Sequence, residues 1–396
     1  MSEKTIYKIA VLTGTRAEYG LLSPLMTDIA ADESLELYPV ITGAHLHEEF
    51  GLTVREIEKD GFSTKDRIDI LPQGGKTHIE DAIALMIEGA ARLWRKNRPD
   101  IVVVLGDRYE AFGAATAAAV LGIPIAHIGG GDITEGAKDE FFRHCITKMS
   151  SLHFPICSTS RERIIRMGEN PNTVFLCGSL GSQNLKTFGD VPLGELQSAV
   201  SIDISEPFLL CTVHPETLGR VKAEGCAETV LNAVSRCNIP CIFTGSNADE
   251  GGDRINELVS HYCEGAADAC FVKSLGMRRY ACALKHCAAV VGNSSSGVVE
   301  APVVEKPCVN IGERQKGREM SEGTICCGWD ADEIAAAIKK ATSPQFAAVA
   351  AKAQNPYPGE NVSQRILCEI KLALENGIDV KKSFYDAPFK GGHTNI

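Results

Sequence analysis

The 396-residue sequence lacks several features that define whole classes of protein. Its formal net charge of −11 argues against a broad nucleic-acid surface, although a local basic pocket can still bind a small anion. None of its 15 cysteines forms a CxxC pair, so we expect reduced thiols in the core rather than a zinc site or a disulfide framework. No long apolar segment opens the chain, and we therefore expect no membrane span and a cytoplasmic location.

Short apolar runs typical of buried strands alternate with amphipathic helical patterns such as residues 78–97. The runs in the first half are KIAVLTG, LELYPVITG, DIVVVLG, IPIAHIG, LHFPIC and TVFLCG, and those in the second half are PFLLCTV, IPCIFTG, DACFVKS, AAVVGN and PCVNIG. This alternation predicts an α/β protein with two Rossmann-like domains and a cleft between them, residues 1–178 and 179–370. We expect residues 371–396, the end of the last helix and the tail, to pack back on the first domain.

Ligands of open parallel sheets bind beyond the carboxyl ends of the strands, where this sequence places polar residues. Arg16 follows the first strand in TGTRAEYG, which lacks the GxGxxG spacing of a dinucleotide site and instead favours a phosphate or carboxylate contact. In GNSSSGVVE a later strand ends at Asn293, and Ser294 and Ser295 stand where a helix should begin, a turn suited to phosphate. Glu300 in that helix could accept hydrogen bonds from ribose hydroxyls. A solvated arginine and simple N-capping by serine are the alternatives.

Three carboxylates lie close together in the first half of the sequence: Asp107, Asp132 and Asp139. Arg143 follows Asp139 by one helical turn, so the two side chains share a helix face. Paired carboxylates in a cleft can act as acid and base; alternatively, two of them cap helices and the third forms a surface salt bridge. His214 in TVHPET follows a buried strand and is either structural or a hydrogen-bond donor to a diphosphate.

Taken together, the motifs resemble the bacterial hydrolysing UDP-N-acetylglucosamine 2-epimerases of sialic acid biosynthesis. The match runs from about Thr13 to Pro388 through TGTRAEYG, VLGDRYEAF, DEFFRHCITKMSSLHF, GSLGSQN, HPETL, GSNADEGGD, GNSSSGVVEAP, NIGERQKGR, NPYPGEN and FYDAP. The resemblance implies a GT-B-like fold, a homodimer, and the conversion of UDP-GlcNAc and water to N-acetylmannosamine (ManNAc) and UDP through a 2-acetamidoglucal. It implies no cofactor, no metal, and neither nucleic acid nor membrane as a partner.

The same resemblance, with the strand-end positions above, assigns two groups of site residues. The catalytic group is Asp107, Asp139, Asp132 and His214. The group that binds substrate and UDP is Arg16, Arg108, Arg143, Asn293, Ser294, Ser295 and Glu300.

One motif departs from the family pattern H-I-[E or H]-G-G-E, because residues 127–132 read HIGGGD. Gly129 stands where some members carry a catalytic glutamate, so Asp132, a bound water or the remaining aspartates must supply that proton. A close alternative is the same reaction on UDP-2,4-diacetamido-2,4,6-trideoxyglucose, which leads to legionaminic acid. The others are a non-hydrolysing 2-epimerase, whose relatives favour GTRPE, GDT and EAGLR, a GT-B glycosyltransferase, and an inactive UDP-sugar sensor.

Overall fold

The computed structural model describes residues 6–72, 77–134, 138–187, 191–216, 221–246 and 251–388. The chain divides into two compact units. The first comprises Met1–Asp132, Phe141–Gly178 and Asn361–Ile396, and the second comprises Ile133–Glu140 and Ser179–Glu360. The predicted second domain extends further along the chain, to residue 370.

The first unit is built on one parallel sheet with helices on its faces. Its strands are β1 (Tyr7–Thr13), β2 (Leu35–Thr42), β3 (Arg67–Ile68), β4 (Ile101–Leu105), β5 (Ile125–Ile128) and β6 (Leu152–Phe154). Its helices are α1 (Arg16–Ala31), α2 (Val54–Lys59), α3 (Ile79–Lys96), α4 (Tyr109–Val120), α5 (Asp139–Met149), α6 (Ser158–Arg166) and, near the end of the chain, α15 (Val362–Asn376). The first two residues of α5 belong to the second unit.

The second unit repeats the same plan. Its strands are β7 (Leu209–Thr212), β8 (Cys241–Thr244), β9 (Ala269–Val272), β10 (Ala289–Gly292), β11 (Cys308–Ile311) and β12 (Thr324–Cys327). Its helices are α7 (Leu180–Thr187), α8 (Leu193–Gln197), α9 (Ala223–Ser235), α10 (Gly252–Gly265), α11 (Gly276–His286), α12 (Ser295–Val299), α13 (Ala331–Ala341) and α14 (Pro344–Ala350).

The strand orders are β3-β2-β1-β4-β5-β6 and β12-β11-β10-β7-β8-β9, and neighbouring strands run parallel throughout. The order reverses between β1 and β4 in the first sheet and between β7 and β10 in the second. Loops diverge to opposite faces at such a switch point, which leaves a crevice at the carboxyl ends of the strands. The predicted α/β class, with two Rossmann-like domains and parallel sheets, is confirmed.

Apolar side chains at regular spacing fix the helices on these sheets. Helix α3 buries one residue per turn, and α4 meets it with an alanine-rich face that permits close approach: Ala82, Met86, Ala90 and Trp94 on α3, and Ala111, Ala114, Ala115 and Ala118 on α4. In the second unit α9 and α13 cover one face of the sheet with Cys226, Val230, Val234, Ile334 and Ile338. The 15 cysteines form no disulfide; nine are buried, as small core residues should be.

The predicted strand TVFLCG is wrong. Only Val174 makes an isolated bridge, to His153. The carbonyls of Leu176 and Cys177 instead accept hydrogen bonds from the Arg365 guanidinium of α15, at 2.7 and 3.2 Å. These carbonyls are therefore satisfied by a side chain, and no strand ladder is needed.

The last helix packs on the first helix of its unit. Lys371 of α15 forms an ion pair with Asp32, the residue that caps the end of α1, at 2.6 Å. No helix of the described residues is long and apolar enough to cross a membrane.

Candidate active site

The first switch point begins where β1 ends, at Gly14. Thr15 caps α1 by accepting a hydrogen bond from the Glu18 amide at 3.3 Å, and the Glu18 carboxylate accepts one from the Gly14 amide at 2.9 Å. Arg16, predicted to contact an anion, is the first residue of α1. Its Nε donates to Glu56 of α2 at 3.0 Å, and both side chains are about half exposed.

Arg143 connects two of the three predicted carboxylate positions. Its Nη2 forms an ion pair with Asp107, two residues beyond the end of β4, and its Nη1 donates to the backbone carbonyl of Asp132 at 3.0 Å. The Arg143 side chain is 2% exposed, whereas that of Asp107 is 25% exposed. Asp139 opens α5, one helical turn before Arg143. A buried cation thus holds a carboxylate that stays partly accessible.

Asp132 is in a different environment, although sequence reasoning gave it an acid–base role. It is 3% exposed, and its Oδ1 accepts a hydrogen bond from the Ser160 hydroxyl of α6 at 2.7 Å. These contacts fix the loop after β5 against α6. A catalytic role for Asp132 stays a prediction.

Arg108 binds a carboxylate that sequence reasoning missed. Its guanidinium donates to Glu110, in the first turn of α4, at 2.9–3.3 Å, and the Glu110 side chain is 2% exposed. Glu18 lies near this pair: burial and then repulsion from Glu110 raise the pKa of Glu18 to about 7, against the opposing effect of Arg108. The helices that follow the two strands of the first switch point, α1 and α4, each carry an acidic residue in their first turn, and this was the signal that could have identified Glu18 and Glu110.

At the second switch point, Asn293 joins the ends of β7 and β10. Its Oδ1 accepts from the His214 amide at 2.7 Å, and its Nδ2 donates to the His214 carbonyl at 2.9 Å. Asn293 is completely buried, so it fixes the main chain of His214. Its predicted contact with UDP stays a prediction.

The His214 ring lies between a hydroxyl and a cation. Nδ1 is 3.3 Å from Ser246 Oγ, in the loop after β8, the remainder of which (residues 247–250) lies outside the described residues. Burial, and secondly the positive charge of Arg314, lowers the pKa of His214 well below its usual value. The ring is therefore neutral at neutral pH, with one nitrogen as donor and the other as acceptor.

The segment after β11 carries Arg314 to this switch point. Gln315 donates to the Asn293 carbonyl at 2.9 Å, and the carboxylate of Glu216 accepts from the amides of Glu313 and Arg314 at 2.8 and 3.1 Å. The motif NIGERQKGR contains Arg314, which was not among the predicted site residues. The signal was its position three residues beyond the end of β11.

The serine turn after β10 contains a hydrogen-bonded chain. Ser294 caps the five-residue helix α12 and accepts from the Ser296 amide at 3.4 Å. Tyr280 donates to the Ser296 hydroxyl at 2.6 Å, and that hydroxyl donates to Glu300. Burial raises the pKa of Glu300. Ser295, the first residue of the helix, is exposed.

No group of three or more His, Cys, Asp or Glu side chains that could hold a metal ion occurs in the described ranges. Among the acid–base candidates, Asp107 lies at the first switch point, whereas Asp132 and Asp139 follow β5. The cation and hydrogen-bond donors suited to a diphosphate lie at the second switch point.

A sequence model of the UDP-N-acetylglucosamine 2-epimerase family matches residues 27–371. The chain is 36% identical, over 86% of its length and 88% of the relative's, to the GDP/UDP-N,N'-diacetylbacillosamine 2-epimerase (hydrolyzing) of Campylobacter jejuni. It is 34% identical to the polysialic acid biosynthesis protein P7 of Escherichia coli, over 96% and 98% of the two chains.

Among solved structures, the UDP-GlcNAc 2-epimerase of Neisseria meningitidis bound to UDP-GlcNAc matches with a TM-score of 0.78 and 16% identity, over 92% of this chain and 99% of that one. This likeness confirms the predicted GT-B-like fold. The family model and the relative at 36% identity show that the chain belongs to the UDP-N-acetylglucosamine 2-epimerase family.

Proposed function

We propose that the protein is a hydrolysing 2-epimerase that converts UDP-GlcNAc and water to ManNAc and UDP. The observation that carries the proposal is the pair at the end of β4, where buried Arg143 holds partly exposed Asp107. A carboxylate fixed in this way at a switch point can exchange a proton with a bound sugar. The hydrolysing relative and the polysialic acid protein are the sequence neighbours that support it.

In this proposal Asp107 of the first unit and Asp139, at the start of α5, act on the sugar. One removes the proton from C2, the C1–oxygen bond breaks, and UDP leaves with the electron pair, which gives the 2-acetamidoglucal. Water then adds its oxygen to C1, and a proton returns to C2 from the opposite face. Asp107 and Asp139 are the proposed proton carriers, Asp132 supports the adjoining loop, and Arg108 orients the turn through Glu110.

The second unit is proposed to bind UDP. Neutral His214 donates one hydrogen bond to the departing diphosphate, and Arg314 next to it balances the negative charge. Ser295 offers its hydroxyl and amide to the same group. Ser294 and Arg16 are assigned to the diphosphate, and Glu300 to the ribose, as the family resemblance implies.

Gly129, the residue that follows β5, is the observation that favours a second candidate substrate, a UDP-sugar with a larger substituent. Gly129 has φ +79°, and a Cβ added there would lie 3.8 Å from the backbone of Gly106 with no other described residue closer. An added atom at this position would make only ordinary contact with Gly106, and we propose that a larger sugar substituent uses this space. UDP-2,4-diacetamido-2,4,6-trideoxyglucose carries such a group at C4, and a relative at 36% identity is named for a diacetylbacillosamine substrate.

The test is to incubate the protein with each of the two UDP-sugars in deuterated water and follow the products by proton NMR. We expect UDP and free ManNAc carrying deuterium at C2 from UDP-GlcNAc. Faster turnover of the diacetamido sugar would make that sugar the proposed substrate and would leave the proposed hydrolysing 2-epimerisation unchanged. Release of UDP-ManNAc, or no turnover of either compound, would overturn the proposal.

A further inference from the structure

His127 is a buried histidine that the proposed chemistry does not use. It is the third residue of β5, has no solvent exposure, and lies in register with His153 of β6. Burial lowers the pKa of His127 to about 3, so the ring is neutral at physiological pH. A ring enclosed within the sheet cannot contact a substrate, and its role must be sought in its two hydrogen bonds.

The two ring nitrogens have different partners. Nε2 lies 2.7 Å from the Gly106 carbonyl oxygen, and Nδ1 lies 3.2 Å from the Thr147 hydroxyl. A carbonyl only accepts, so Nε2 carries the proton of the neutral ring. Nδ1 is then an acceptor, and the Thr147 hydroxyl shares its single proton between Nδ1 and the Arg143 carbonyl.

Each partner belongs to a segment that carries a site residue. Gly106 directly precedes Asp107, and Thr147 follows Arg143 by one turn of α5, with its Oγ1 3.0 Å from the Arg143 carbonyl. His127 therefore links the turn that bears Asp107 to the helix that bears Arg143. These are the two side chains that meet in the ion pair.

A glycine keeps this link open. A Cβ added to Gly130 would lie 2.7 Å from His127 Nδ1 and 2.8 Å from Thr147 Oγ1, closer than real Cβ contacts. Any larger residue at position 130 would push the ring and the hydroxyl apart. The loop that follows β5 thus makes room for the bond between His127 and Thr147.

We propose that His127 and Thr147 are positioning residues that set the geometry of Asp107 against Arg143 without transferring a proton themselves. This inference rests on the proposed function, in which Asp107 moves a proton at the sugar. It adds to that function that the buried, neutral imidazole of His127 aligns the Asp107 carboxylate, although the imidazole does not contact the substrate.

The test compares two replacements of Thr147. Thr147→Val removes the hydroxyl and keeps the shape, whereas Thr147→Ser keeps the hydroxyl. We expect Thr147→Val to lower kcat about tenfold, the value of one neutral hydrogen bond, with KM unchanged. Thr147→Ser should stay close to wild type. Equal losses in the two variants, or a rise in KM at constant kcat, would overturn the inference.

A second set of variants tests the ring. His127→Leu should lower kcat at least as much as Thr147→Val, and the double variant should be no worse than His127→Leu, because the two residues act as one unit. His127→Gln keeps an N–H toward Gly106 and should recover part of the rate. His153→Gln, on the neighbouring strand and bonded to Glu169 at 3.1 Å, is the control that should leave kcat unchanged. Additive losses would refute the link.

The ring can also be observed without substrate. Nitrogen-15 NMR of the histidine rings, with His127→Gln for assignment, should show a neutral ring protonated at Nε2 from pH 6 to 8, and Thr147→Val should change its Nδ1 signal. A charged or Nδ1-protonated ring would overturn the inference whatever the reaction is. If the ring behaves as expected but wild type is inactive on UDP-sugars, the proposed function fails and the link between Gly106 and Thr147 stands.

Discussion

Replacing Asp107 by asparagine changes the proposed proton carrier while keeping its size. Asparagine cannot take up the C2 proton, and a positioned acid–base group is worth about 10²–10⁴ in rate, so we expect kcat to fall at least about 100-fold. The Arg143 guanidinium keeps its bond to the Asp132 carbonyl but loses its charged partner. Because the Asp107 side chain is 25% exposed, the loss should cost about 1–3 kcal/mol, less than for a fully buried pair.

The assay is release of UDP from the UDP-sugar, measured with UDP binding by calorimetry and unfolding by denaturant. Asp100→Asn is the matched control, because Asp100 lies just before β4 at the opposite end of the strand, where it accepts from the Lys8 amide at 2.7 Å. It should leave the rate unchanged. An Asp107→Asn protein that is folded, binds UDP and keeps more than about a tenth of wild-type activity would refute the role of Asp107.

Three further predictions address UDP binding, stability and assembly. Glu300→Gln should weaken UDP binding about tenfold in calorimetry, as expected for the loss of a charged hydrogen-bond acceptor, and unchanged affinity would remove Glu300 from the ribose site. Burial lowers the pKa of His45 to about 4, below its unfolded value, so its stabilisation is complete above pH 6.5 and is lost as the pH falls toward 4, by about 1.4 kcal/mol per pH unit. His127 and His214 add to the slope for the same reason, so the share of His45 is the difference between wild type and His45→Asn in denaturant unfolding at pH 7 and 5. Sedimentation should give the mass of a homodimer, and a monomer at micromolar concentration would contradict that prediction.

The strand ends could be identified from sequence because continuous apolar runs mark buried parallel strands. Asp107, His214 and Asn293 follow such runs and lie at the two switch points. Of the four edge strands, β6 and β9 were predicted from LHFPIC and DACFVKS, whereas β3 and β12 could not be found in this way. β3 has two residues, and β12 includes an exposed position, so neither forms a continuous buried run.

Partners of side chains depend on contacts that sequence spacing does not encode. Arg143 was predicted to pair with its helical neighbour Asp139, and the structure shows that its guanidinium reaches Asp107, 36 residues earlier. Arg365 satisfies the Cys177 carbonyl from 188 residues away, which is why an apolar run there does not form a strand. The guanidinium of Arg108, predicted to bind the substrate, forms an ion pair with Glu110, two residues further along the chain.

The crystal structure of the Asp107→Asn variant bound to UDP-GlcNAc tests most directly whether residues of both switch points act on one substrate. The account predicts the side chain of residue 107 within about 3.5 Å of the C2 hydrogen-bearing carbon, with the diphosphate bonded to His214. A complex in which the sugar lies far from residue 107, or the diphosphate far from His214, would contradict it.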